Sequence, residues 1–144
     1  MTGKRGFTLL ELMIVIIIIG VLATLGVMQY QAAIEKSRGA EARQVLGQLR
    51  SQCAAIYMSE NSTTLCDANN LRIGTLSDMV PSVCRGSHYF SYARTGSATS
   101  LLTLSATRCT GAAGKNPGAQ SAETLQLITN YSSGADTWSS SGGY

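Results

Sequence analysis

The stretch GKRGFTLLELMIVIIIIGVLATLG, residues Gly3 to Gly26, decides how the rest of the chain is read. It is almost wholly apolar after Arg5, yet Glu11 stands near its front, with Thr8 and Thr24 the other interruptions. A carboxylate in hydrocarbon costs about 2.5–3.5 kcal/mol on insertion scales. From Leu12 to Ile34 there is no charged side chain. About 20 such residues suffice to cross a bilayer as a helix. The stretch is therefore a membrane-spanning candidate with one costly charge at its entrance.

Lys4 and Arg5 precede the run and Lys36 and Arg38 follow it, so flanking charge alone leaves the orientation open. The cysteines supply it. Cys53, Cys66, Cys84 and Cys109 all lie downstream, in a small, polar, loop-rich region. An even set of this kind reads as disulfides in an oxidising compartment. That places the N-terminus on the cytoplasmic side and the later residues outside. Three readings of the N-terminus stand at this point. The run is a permanent single-pass anchor, a secretory signal cut near LATLG, or a segment preceded by a cut after Gly6.

The segment KRG followed directly by FTLLELMIVIIIIG resembles the N-terminal signal of type IV prepilins and type II secretion pseudopilins. The likeness extends over residues 4–31, to Tyr30 and Gln31. It implies that Gly6 is the last leader residue, cut by a prepilin peptidase that also methylates the new N-terminus at Phe7. Residues 1–6 would then be leader, 7–34 the transmembrane and polymerisation half of a helix, 35–60 its amphipathic half, and 61–144 a head. Losing Lys4 and Arg5 would remove most of the precursor's net charge of +3. Net charge therefore gives no reason to assign a nucleic-acid partner, which needs a clustered basic face.

The same resemblance gives Glu11 a role in assembly. In a filament the apolar helices form a common core, and the free amine of a neighbour's Phe7 is a cation within it. Each charge alone is costly in low dielectric, and the pair is much less so. One feature departs from the family: Met28 stands where a proline is common, so no kink is expected there. Gly20 and Gly26 remain as weak points, each about 1 kcal/mol less favourable than Ala.

Beyond the span, Ala42, Val45, Leu46, Leu49, Cys53, Ile56 and Tyr57 recur at spacings of three and four, one face of a helix. A helix from Phe7 to Ser59 would run roughly 80 Å. The remaining residues are too few to bury a large core alone and need the helix and disulfides for support. HYFSYAR, LLTLSATR and TLQLITNY alternate with period two and predict three strands. TGSAT predicts a hairpin loop turning about Ser97, and SSGADTWSSSGGY a flexible tail unless Trp138 anchors it. The expected fold is α+β, a long helix packed on a small antiparallel sheet. That hairpin would bring Cys84 nearly opposite Cys109 and leave Cys53 with Cys66. A zinc site is disfavoured because no CxxC pair is present.

No catalytic constellation, phosphate loop or cofactor motif is present. His88 is the single histidine and has no acidic partner in sequence. Asp136 is a lone acid, although related pseudopilins hold calcium in C-terminal loops, so no metal is assigned. The resemblance implies a homopolymer in a helical filament, the inner membrane as its reservoir, and an assembly ATPase and platform protein as partners. Two functions follow from it: a structural subunit of a type IV pilus, or a pseudopilin driving protein export. A third reading is a membrane-anchored binding module that never polymerises.

Overall fold

The computed structural model describes residues 7–74, 80–97, 99–111, 114, 115, 121–142 and 144. The chain divides into two compact units, Met1–Glu35 and Lys36–Tyr144. One helix, α1 (Leu9–Glu60), contributes to both. It runs unbroken past Gly20, Gly26 and Met28. It stops where Asn61 adopts φ 50° and its amide donates to the Tyr57 carbonyl at 2.8 Å. Asn tolerates this left-handed conformation, which ends a helix without a glycine.

In the first unit every residue from Phe7 to Ala33 is exposed. In the second unit α1 buries a single stripe: Gly39, Ala42, Leu46, Leu49 and Cys53. Val45 and Ile56 flank it, half-buried against the core. The stripe is the one read from the three- and four-residue spacing, extended by Gly39. A Cβ at Gly39 would lie 2.5 Å from Cδ1 of Tyr144, so the ring sits where a side chain would stand.

The stripe packs on a four-stranded antiparallel sheet: β1 (Phe90–Ser97), β2 (Leu101–Arg108), β3 (Thr124–Asn130) and β4 (Ala135–Ser140), in that spatial order. Period-two alternation puts one face inward. Phe90 and Tyr92 of β1, Leu102, Leu104 and Ala106 of β2, and Leu125 and Leu127 of β3 share one cluster with the helix stripe. Cys66, Leu71 and Ile73, from the segment after the helix, complete it.

The tail, expected to be flexible unless Trp138 anchors it, forms β4, with Trp138 opposite Leu127. The turn before it is built locally. Asn130 Oδ1 accepts from the Ser132 and Ser133 amides at 3.0 and 3.3 Å, and Gly134 takes φ 70°. The hairpin register also differs. Thr95 and Ser97 belong to β1, with an irregularity between them, so the strand continues through what reads as a loop. Phe90 faces Arg108 and Thr95 faces Thr103. Cys109 then lies beside Tyr89, its amide donating to the Tyr89 carbonyl at 2.9 Å, rather than opposite Cys84.

The cysteines are joined as Cys53–Cys66, with Cα atoms 5.4 Å apart, and Cys84–Cys109, at 5.5 Å. The first ties α1 to the segment after it. The second ties the end of β2 to the chain leading into β1. Bridges over loops of this size contribute about 2–4 kcal/mol each.

Tyr131 joins the far end of the sheet to the helix. Its ring stacks on Tyr57 with centroids 5.1 Å apart, and its hydroxyl donates to the Arg50 carbonyl at 2.8 Å. Beside it, Arg50 Nε donates to Asp136 Oδ1 at 2.9 Å, which fixes β4 to α1. Burial pushes the Tyr131 phenol up to about 12, with Arg50 opposing and Asp136 adding to the rise. Burial foremost, then the Glu41 carboxylate, also raises the Tyr92 phenol well above its usual value.

Two stability measurements follow. Leu46 is fully buried at the centre of the stripe. Leu46→Ala should therefore cost the second unit about 2–5 kcal/mol in chemical denaturation of the full chain. The tyrosines set an alkaline limit. Both are harder to ionise folded than unfolded, so the unfolded chain loses protons first. Stability should hold below about pH 10 and fall as pH rises towards 12. Tyr131→Phe should lower stability at neutral pH but flatten that alkaline decline.

Candidate assembly site

The apolar half of α1 is helical for a simple reason. Its side chains are apolar and offer nothing to compete with the backbone, and in apolar surroundings a helix pairs every backbone group within its own segment; Thr24 satisfies itself. Thr24 Oγ1 donates to the Val21 carbonyl of its own helix at 2.8 Å. No polar side chain in the span beyond Glu11 therefore needs a partner from another helix until Gln29. The helix is long and apolar enough to cross a membrane, by length and composition, and none of its most apolar window is buried. An all-round apolar helix is stable only when something covers it.

The entrance to the helix is more ordered than the sequence reading proposed. Thr8 Oγ1 accepts from the Glu11 amide at 3.2 Å. In return Glu11 Oε2 accepts from the Thr8 amide at 3.0 Å and from the Thr8 hydroxyl at 2.9 Å. This reciprocal pair is a capping box, in which residue N3 serves the amide of the N-cap. The signal was present in the sequence as Thr-Leu-Leu-Glu before an apolar run. It gives Glu11 a purpose within its own chain: it satisfies amides left unpaired at the helix start and places negative charge at the positive end of the helix dipole.

All three bonds involve Oε2 or the backbone amide of Glu11. Among the described residues Oε1 accepts no hydrogen bond, and an ionised carboxylate has room for about four. Phe7, one residue before the cap, is 82% exposed. Gly6 lies outside the described residues. The site thus presents a half-used carboxylate, an exposed aromatic residue and a bare apolar cylinder. That combination can dock on a like helix and can receive a cation at its front.

The other sequence candidates fall elsewhere. The four cysteines are structural ties in the second unit. Asp136 is held by Arg50 on β4. His88 shares a hydrogen bond with the neighbouring Ser87, Oγ to Nδ1 at 2.8 Å. Among the described residues no group of three His, Cys, Asp or Glu side chains is placed to hold a metal ion.

Comparison with known proteins bears on the N-terminal segment. Residues 1–27 match the prokaryotic N-terminal methylation motif. A probable minor fimbrial protein of Dichelobacter nodosus is 40% identical over 73 residues, 49% of this chain and 43% of that protein. A type IV major fimbrial protein of the same organism is 46% identical over 63 residues, 44% of this chain and 39% of that protein. Fimbrial protein Q of Moraxella bovis is 45% identical over 56 residues, 39% of this chain and 34% of that protein. The chain thus spans less than half the length of the curated relatives it matches. No solved structure matches it at a significant level.

Proposed function

We propose, from the match of residues 1–27 to the prokaryotic N-terminal methylation motif and from the fimbrial relatives, that the protein is a structural pilus subunit. It is cleaved after Gly6, methylated on Phe7, and polymerised through its N-terminal helix into a filament. The observation that carries this reading is the apolar surface from Phe7 to Ala33, exposed all round and carrying one carboxylate at its front. Lipid covers that surface in the precursor, and neighbouring helices cover it in the filament. The N-terminus faces the cytoplasm, which puts the disulfide-bonded unit in the oxidising space outside. A prepilin peptidase, an assembly ATPase and a platform protein are the partners this route requires. The relatives that match are fimbrial, which favours a pilus over a secretion pseudopilin.

In the filament, Glu11 does two jobs with its two oxygens. Oε2 continues to cap the helix, and Oε1 receives the amine of a neighbour's Phe7. The cap fixes the carboxylate's direction before assembly, so little side-chain freedom is lost when the amine arrives. Charge pairing then sets how far one subunit slides along the next.

Processing is the first test. Intact mass and N-terminal sequencing of filaments should show a chain that begins at Phe7. Met1 or a residue after Thr24 at the N-terminus would contradict the reading. A bulky residue in place of Gly6 should block the cut.

The two roles of Glu11 separate by substitution. Glu11→Ala removes both cap and charge, and losing one partner of a buried pair costs about 3–5 kcal/mol. That variant should insert and form its disulfides, yet leave filament yield near background. Glu11→Gln keeps the capping box, which accepts Gln at this place, and loses only the charge, so its yield should fall between. Wild-type yield from correctly cleaved Glu11→Ala would remove Glu11 from assembly altogether.

A further inference from the structure

Within the second unit, the part of α1 that follows the span is ringed by cations paired with aromatic rings. The Arg38 guanidinium lies 4.4 Å from the centre of the Tyr89 ring, and the Lys115 ammonium lies 4.9 Å from the same ring. Arg43 of α1 lies 5.6 Å from the ring of Trp138 on β4 and donates to the Tyr144 carbonyl at 2.9 Å. Lys36 and Arg43 line a shallow pocket with Gly39, Ala40 and Tyr144 between them. Lys36, Arg43 and Trp138 are all exposed. Glu35 and Glu41 on the same stretch of helix offset part of this charge.

The position of this belt along the chain is what identifies its partner. Lys36 stands two residues after Ile34, where the uncharged run ends. Tyr and Trp concentrate at membrane–water interfaces, their rings among headgroups and their polar edges in water. Lys and Arg beside a span are drawn to anionic lipid, each strengthening the attraction roughly fivefold. A cation held over a ring is already oriented, so a headgroup phosphate meets it in place.

We propose that this belt binds the phosphates of anionic lipid headgroups and seats the folded unit on the membrane surface until the subunit is extracted. The proposal rests on the membrane-inserted precursor argued above. Its consequence is that extraction must break a set of headgroup contacts as well as move the apolar helix. A single-stranded nucleic acid also favours cations and exposed rings, but it gives no reason for the belt to begin where the span ends.

Trp138 is the sole tryptophan, so its fluorescence reports on the belt directly. The full-length chain is reconstituted in phosphatidylcholine vesicles that contain phosphatidylglycerol, with a bromine label near the headgroup of one lipid or the other. At equal label fractions, labelled phosphatidylglycerol should quench Trp138 more strongly than labelled phosphatidylcholine. The triple variant Lys36→Gln, Arg38→Gln, Lys115→Gln leaves Arg43 beside the tryptophan. It should float with the vesicles, keep both disulfides and lose the difference between the labels. Equal quenching in the native chain, or an unchanged preference in the floating variant, overturns the proposal. So does quenching by a single-stranded oligonucleotide where the lipid labels do not discriminate. A native chain that fails to float overturns the membrane-inserted precursor and this proposal together.

Discussion

An exposed apolar helical surface governs this molecule. From Phe7 to Ala33, through the first half of α1, every residue is exposed. Burying a Leu or Ile side chain is worth about 1.5–3 kcal/mol, so a run of this length cannot rest in water. It has two stable surroundings, hydrocarbon and other apolar helices. Within the second unit, the strands are matched to the stripe from Gly39 to Cys53. On the proposed route, the first half of the helix exchanges lipid for neighbours while the second half stays on its sheet.

On the proposed route, Glu11 is what makes that exchange selective. In the subunit it is no orphan charge: Thr8 supplies two hydrogen bonds to Oε2, and Glu11 returns the amide. The desolvation that would make a bare carboxylate prohibitive is therefore partly met before assembly. What remains is the net negative charge, which hydrocarbon does not neutralise and an amine does. An apolar helix alone would associate in many registers. A charge that needs its counter-ion at one height restricts the choice, in the way a single buried polar group fixes register in a coiled coil. Local capping is the use of this side chain within its own subunit; intersubunit pairing is the second use proposed for it.

Much of the fold was legible because burial writes a period into sequence. Leu46, Leu49 and Cys53 fall on one helical face, and Leu102, Leu104 and Ala106 on one strand face, so each side of the packed core could be read before the two were joined. β4 was not legible for the converse reason. Its residues are exposed on both sides, and Ser, Gly and Asp in its neighbourhood read as a loop. What orders it is a tertiary tie, Arg50 to Asp136 at 2.9 Å, together with the Asn130 turn. The hairpin register is not legible because Thr95 to Ser97 carry loop composition while pairing as strand through an irregularity. At the assembly site the position of Glu11 is plain in the sequence, and the Thr8 cap that holds it is legible as Thr-Leu-Leu-Glu before an apolar run. Gly6 and the leader are legible only as a motif.

The central claim, that Glu11 meets the amine of a neighbouring subunit, is tested most directly by distance. Filaments are grown from a mixture of two subunit pools, one with nitrogen-15 at the Phe7 amine and the other with carbon-13 at the Glu11 carboxyl. Solid-state NMR recoupling then reports only contacts between different subunits. A carbon–nitrogen separation within about 4 Å, the range of an ion pair, is the predicted result. Filaments that form normally and show no dephasing between the pools would contradict it, and would leave Glu11 as a helix cap alone.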